Sequence, residues 1–232
     1  MEYIILIIIV LFLIILLKII LDINIKKIKN LANNKKLDEI ALKFPNNKEL
    51  CKKYLRKLNN EKVKIEEKDA ESSLYIAISD KIIIADLKDN YSRIQTIAHE
   101  CLHSVQERKV LLFNFFFSNI YILYFIIISI LCIFNILSNN LLFICIFIIL
   151  GLVYYMVRSY LENDAMIKAR FLAKEYMEEE NIVSQEEEKQ LINGFDIINK
   201  SGIKCVNYNL LLGIFYKLII ILLICFVRTV AF

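Results

Sequence analysis

The chain has 232 residues, 58% of them hydrophobic, with four glycines, one proline and a net charge of +4. This is a far more apolar composition than an ordinary soluble domain carries, and so little glycine and proline points to helices. The small positive charge accompanies no recognisable basic motif, so a nucleic-acid partner is not expected.

In chain order, Tyr3–Leu17 carries no charge and, with Lys18 snorkelling, extends to Leu21, close to the roughly 20 residues that cross a bilayer. A signal peptide is the alternative reading. Met1-Glu2 supplies no basic leader and no clear small-residue cleavage site follows, so residues 1–21 are read as an anchor. Lys26, Lys27, Lys29, Lys35 and Lys36 follow the span while Glu2 alone precedes it, which places the N-terminus outside and residues 22–109 in the cytoplasm. The basic run from Lys26 to Lys57 is expected either to lie on the anionic inner leaflet or to form a solvated helix face.

Within residues 22–109, two short helices flank Pro45, and Leu50, Tyr54, Leu55 and Leu58 share one helical face. Leu74–Ile78 and Lys81–Leu87 are rich in strand formers around Ser79-Asp80, predicting a small β-hairpin. Residues 110–157 are uncharged and interrupted by Ser138-Asn139-Asn140, predicting a transmembrane helical hairpin with its tip outside. Residues 158–208 return to the cytoplasm. There Asn163–Glu180 reads as a helix, and Ser184 with Glu187 forms a capping box opening another that Gly194 ends. Residues 209–232 are a fourth span, apolar through Val227 except for Lys217. The six cysteines show no CxxC pair and are read as small apolar fillers, without a disulfide framework. The fold class is therefore mainly α: a multi-pass membrane protein of about four spans with a cytoplasmic α+β portion.

Both histidines of the chain fall in one stretch, AHECLHSVQ, at His99 and His103. On a helix these positions share a face, so two imidazoles converge on one point, as a zinc ion requires. Glu100 lies beside them and off the ligand line, where it can take a proton from a metal-activated water. An open catalytic zinc site needs a third protein ligand, and no third histidine exists. The segment Arg158–Ala165 supplies Glu162, the preferred donor, and Asp164, the alternative. Measured from Asn139, straight helices would carry Glu162 about 35 Å down one arm and His103 about 54 Å down the other. The chain must then bend between Gln106 and Asn119. The motif helix is expected to end near Arg108, followed by a chain reversal or, along Lys109–Asn119, a membrane-surface segment, and the second span to begin around Ser118–Tyr121.

HECLHSVQ followed, across a transmembrane hairpin, by ENDA resembles the membrane-bound neutral zinc metallopeptidases of bacteria (the YugP-like group). It more distantly resembles the membrane gluzincins that include the HtpX-type and CAAX-prenyl proteases. The likeness covers roughly residues 82–170, including the lead-in IIIADLKDNYSRIQTIAHE. It implies a zincin-like catalytic portion, His99, His103 and Glu162 as zinc ligands and Glu100 as catalytic base. Gluzincins often carry an aspartate four residues after the ligand glutamate. Here Met166 stands at that position, and Asp164 is the available group to orient the histidines.

The chemistry implied is hydrolysis of peptide bonds in membrane-associated or short peptide substrates at the cytoplasmic face of the cell membrane, with Zn2+ as cofactor. Tyr91, Tyr160 and Tyr208 are candidate oxyanion donors by residue type, with no choice among them. A strand edge of the 74–87 hairpin offers a place to hold an extended substrate. The competing class is a non-catalytic membrane sensor or scaffold with a structural zinc site, which would have no need of Glu100.

Overall fold

The computed structural model describes residues 2–24, 34–70, 72–85 and 90–231. Among them are seven helices and three strands: α1 (Glu2–Ile20), α2 (Lys35–Ala41), α3 (Asn47–Lys57), β1 (Lys64–Glu67), β2 (Leu74–Ile76), β3 (Lys81–Ile84), α4 (Ser92–His103), α5 (Arg108–Ile133), α6 (Asn140–Glu180) and α7 (Gln185–Ala231). The chain divides into two compact units, one comprising Met1–Ile23, Phe113–Tyr160 and Lys204–Phe232, the other Asn24–Leu112 and Leu161–Ile203.

The first unit is all helix, and four helices (α1, α5, α6 and α7) are long and apolar enough to cross a membrane. Its large side chains point mostly outward: Phe12, Ile19, Ile127, Ile149 and Leu223 are exposed, and Val10 is the one buried residue of α1 among those described. Such a surface suits an apolar surrounding such as a bilayer. Inside, the Tyr121 ring stacks on Phe147 at 5.0 Å and on Tyr154 at 5.6 Å. Gly151 permits close helix approach, since a Cβ there would meet Ile214 Cγ2 at 3.0 Å and Tyr121 Oη at 3.2 Å.

The second unit buries its apolar residues. Leu50, Tyr54 and Leu55 of α3, Ile82 and Ile84 of β3, and Ile94, Ile97, Ala98 and Cys101 of α4 form one core with Ala165, Ala169, Leu172, Ala173, Tyr176 and Met177 of α6. The α6 residues recur at intervals of three and four, the stripe of an amphipathic helix. Its three alanines leave room for neighbours to approach. Asn34 and Asn46 cap α2 and α3, accepting from the backbone N–H groups of Leu37 and Glu49.

The expected hairpin is present, with β2 antiparallel to β3 in the register Leu74↔Ile83, Tyr75↔Ile82 and Ile76↔Lys81. The turn closes at Asp80, whose φ is 47°, a conformation aspartate tolerates better than most residues. The strand ends at Ile84; of the remainder of the expected run, residues 86 and 87 lie outside the described residues. The third strand, β1, was not expected. It pairs in parallel with β3, giving the order β1-β3-β2 and leaving β2 at an edge. Its sequence, KIEE, has no apolar alternation, and cross-strand contacts hold it instead: Lys81 donates to the Glu66 carboxylate.

Three boundaries differ from expectation. The motif helix stops at His103, and α5 begins at Arg108 and runs unbroken to Ile133, so the break is confined to Ser104–Glu107 and Lys109–Asn119 belongs to the apolar helix. Residues 158–163 do not start a new helix. They lie within α6, because no proline or glycine interrupts it where polarity changes. The Ser184–Glu187 capping box does open α7, with Ser184 N–H donating to Glu187 Oε2 at 3.0 Å and Glu187 N–H to Ser184 Oγ at 3.3 Å. Gly194 does not end that helix. A Cβ at Gly194 would lie 2.7 Å from Leu37 Cδ1 and 3.0 Å from Tyr91, so this glycine serves packing.

The basic run pairs with acidic helices of its own unit: Lys43 with Glu187 at 2.6 Å, Lys53 with Glu180 at 2.8 Å, and Lys57 with Glu175 and Glu179. Its first part, residues 26–29, lies outside the described residues.

Candidate metal centre

Helix α4 carries the two histidines, and its start is fixed by a buried cation. The Arg93 guanidinium donates to the carbonyls of Ala41 (2.9 Å), Phe44 (3.2 Å) and Pro45 (2.9 Å) and to Asn47 Oδ1 (3.1 Å). It thereby ties the end of α2 and the loop after it to the start of α4. With Ile94, Ile97, Ala98 and Cys101 packed inward, His99 and His103 occupy the flank of the helix that meets α6.

There they meet Glu162. His103 Nε2 lies 3.0 Å from His99 Nε2, and Glu162 Oε2 lies 3.4 Å from His99 Nε2 and 3.8 Å from His103 Nε2. These three side chains form a group that could hold a metal ion. An ion with tetrahedral bonds near 2.0–2.2 Å sets neighbouring donors about 3.3 Å apart, so the observed triangle fits it with little movement. Glu162 and His103 have 12% and 9% of their side chains exposed, and an ion held there would be largely sheltered from water. Asp164, the alternative ligand, is turned elsewhere: Lys168 Nζ bonds its Oδ1 at 2.6 Å, and Gln106 Nε2 donates to its Oδ2 at 3.0 Å.

The field at this point favours positive charge. Burial disfavours the His103 imidazolium, yet the Glu162 carboxylate, with Glu100 behind it, outweighs burial and raises the His103 pKa above its ordinary value. The same carboxylates would favour a divalent cation. Glu100 is buried, and desolvation pushes its pKa up against the opposing influence of the two histidines. The backbone of Tyr75 on β2 lies near this carboxylate and also opposes the rise. A buried carboxylate with a raised pKa is suited to take up and release a proton near neutrality.

Gln106 escaped sequence reasoning: its spacing three residues after His103 was visible in AHECLHSVQ and only its role was missing. The candidate oxyanion tyrosines are not singled out by their placement: Tyr91 is buried with its ring stacked on Phe195 at 6.2 Å, Tyr160 is exposed, and Tyr208 is buried on α7. Met166 packs at Gly202, where a Cβ would meet its Cε at 2.6 Å.

No protein-family profile, curated protein or solved structure matches this chain.

Proposed function

We propose that this protein is a membrane-embedded, zinc-dependent metallopeptidase that hydrolyses peptide bonds of membrane-associated or short peptide substrates at the cytoplasmic face. One observation carries the reading: the Nε2 atoms of His99 and His103 and Oε2 of Glu162 form a triangle of 3.0, 3.4 and 3.8 Å beside the buried Glu100. Two imidazoles and one carboxylate are a donor set used by catalytic zinc, leaving a fourth position open. The likeness of HECLHSVQ and ENDA to the membrane-bound neutral zinc metallopeptidases supports the same assignment.

Zinc bound here would supply Lewis acidity and a water acidified toward neutrality. The chain's own residues do the rest. His99, His103 and Glu162 hold and orient the ion. Glu100 takes the proton of the attacking water and returns it to the departing amine nitrogen, and its raised pKa suits both transfers. The edge strand β2, whose Tyr75 backbone lies near Glu100, offers backbone groups to an extended peptide laid alongside as an added strand. A helical motif beside an edge strand, completed by a glutamate from a second helix, supports a zincin-like arrangement.

Purification in detergent, zinc analysis and peptide profiles of cells carrying wild type or Glu100→Gln test the proposal. The expected result is about one zinc per chain by the donor count, retained in Glu100→Gln while turnover falls by roughly 10²–10⁴-fold. Glu162→Gln should weaken zinc binding more than Asp164→Asn. A wild type that binds zinc but leaves every peptide intact would make the site a structural one and the protein a sensor or scaffold. Loss of zinc from Asp164→Asn but not Glu162→Gln would overturn the ligand assignment.

A further inference from the structure

The break between α4 and α5 contains a side chain placed to control one of the histidines. Gln106 Oε1 lies 2.8 Å from His103 Nδ1, while Gln106 Nε2 lies 2.8 Å from the Leu161 carbonyl and 3.0 Å from Asp164 Oδ2. Leu161 immediately precedes Glu162, so one side chain joins the motif to the turn of α6 that bears the carboxylate.

These contacts determine which way the amide faces. The Leu161 carbonyl can only accept a hydrogen bond, and the Asp164 carboxylate, whose Oδ1 is paired with Lys168 at 2.6 Å, also accepts. The end of Gln106 directed at them must therefore be its NH2 group. Its carbonyl oxygen faces His103, and that oxygen can only accept. His103 Nδ1 must then carry the hydrogen, so in the neutral imidazole the lone pair resides on Nε2, the atom facing His99 and Glu162. A histidine that ligates metal through one nitrogen commonly donates from the other to an oxygen that fixes tautomer and ring angle.

We infer that Gln106 is the positioning residue of this site: it accepts the His103 Nδ1–H, holds the ring in its ligating tautomer and, through Leu161 and Asp164, sets the spacing between α4 and the Glu162 turn. Asp164 acts behind it, orienting the amide. This inference rests on the metal-site reading above and deepens it. It also accounts for Met166, because a carboxylate four residues after Glu162 has no task left at His103.

The test uses the full-length protein in detergent and Co2+ and Zn2+ as probes, with three readouts: affinity by chelator competition, the visible Co2+ spectrum, and imidazole nitrogen NMR of 15N-histidine-labelled protein, simplified by the chain's having two histidines. Wild type should show His103 as the Nδ1–H tautomer. Gln106→Met, which fills the same space without hydrogen bonds, should weaken metal binding roughly 10–100-fold, the usual cost of losing such a partner, and change the Co2+ spectrum while the metal-free protein melts as wild type does. Gln106→Glu keeps the acceptor for Nδ1–H and should bind metal more tightly than Gln106→Met; if the methionine variant does not fold, the His103 tautomer of wild type carries the test. Asp164→Asn, whose amide oxygen still accepts from Gln106, should lose less than Gln106→Met. Wild-type affinity and spectrum in Gln106→Met, or a His103 protonated at Nε2 in wild type, would overturn the inference. Failure of the reading beneath it looks different: wild type would bind no metal even though His103 shows the expected tautomer.

Discussion

The two halves of α6 teach more about this protein than any pair of separate elements. In its first half Leu141, Leu142, Ile149, Leu152 and Met156 are exposed, whereas in its second half Leu161, Ala165, Ala169, Leu172 and Ala173 are buried in a regular stripe. One helix thus turns most of its large apolar side chains outward along one stretch, where Ile144 and Phe147 are buried exceptions, and buries a regular stripe along the next, where Ile167 and Phe171 stay exposed. Backbone conformation does not change where this happens; the surroundings do. In water the hydrophobic effect drives large apolar groups into a core, whereas in lipid an outward leucine loses nothing and packing among helices carries association. Glu162 lies just after this change of character, on the inward-facing half.

The comparison breaks most visibly under truncation. Ile94 is fully buried in the core of the second unit, and Ile94→Ala should cost about 2–5 kcal/mol. Ile19, 70% exposed on α1, should tolerate the same change within about 0.5 kcal/mol. Chemical denaturation in detergent measures both, and equal losses would mean that the outward face of α1 is covered by protein.

Charge sharpens the same contrast within one helix. Ile149 and Ile167 are both exposed, at 61% and 51%, yet Ile149→Arg should cost roughly 2.5–3.5 kcal/mol of insertion free energy and Ile167→Arg almost none. The inserted fraction in a translocon assay reads this, and a free pass for arginine at Ile149 would remove the helical hairpin as a membrane span.

A smaller effect belongs to the ion pairs that tie α3 to α6. Lys57→Ala removes partners of Glu175 and Glu179 and should destabilise by about 0.5–1 kcal/mol, less in high salt. No salt dependence would show that Lys57 contributes through its packed stem alone.

The smallest expected effect is at the sheet. Hydrogen bonds from Lys81 and Lys68 pull the Glu66 pKa from 4.5 down to about 2. A carboxylate with a depressed folded-state pKa contributes stability that is fully present above pH 4.5 and is lost as the pH falls through the folded value. Glu66→Gln should therefore flatten the acid limb of a stability profile between pH 4.5 and 2, lying slightly below wild type above pH 4.5 and meeting it at about pH 2. An acid limb identical to wild type would deny β1 its charge contact with β3.

How much of this was legible in the sequence follows from what is local. The length and purity of the apolar runs set four potential spans, because crossing hydrocarbon is a property of one helix by itself. His99 and His103 converge because positions four apart share a helical face whatever surrounds them, and the Ser184–Glu187 box works within a single turn. Tertiary structure decided the rest. Both Glu162 and Asp164 are acids on α6, and which one meets the histidines depends on the rotation of that helix about its axis, set by the burial of Leu161, Ala165 and Ala169. Gly194 reads locally as a helix end, but the need of Leu37 and Tyr91 for its missing side chain kept it inside α7. The charged strand β1 exists only because β3 offers it a ladder. Gln106 stood in plain view beside the motif, yet its role required Leu161 and Asp164, 55 and 58 residues away along the chain, since a hydrogen bond is read from both of its partners.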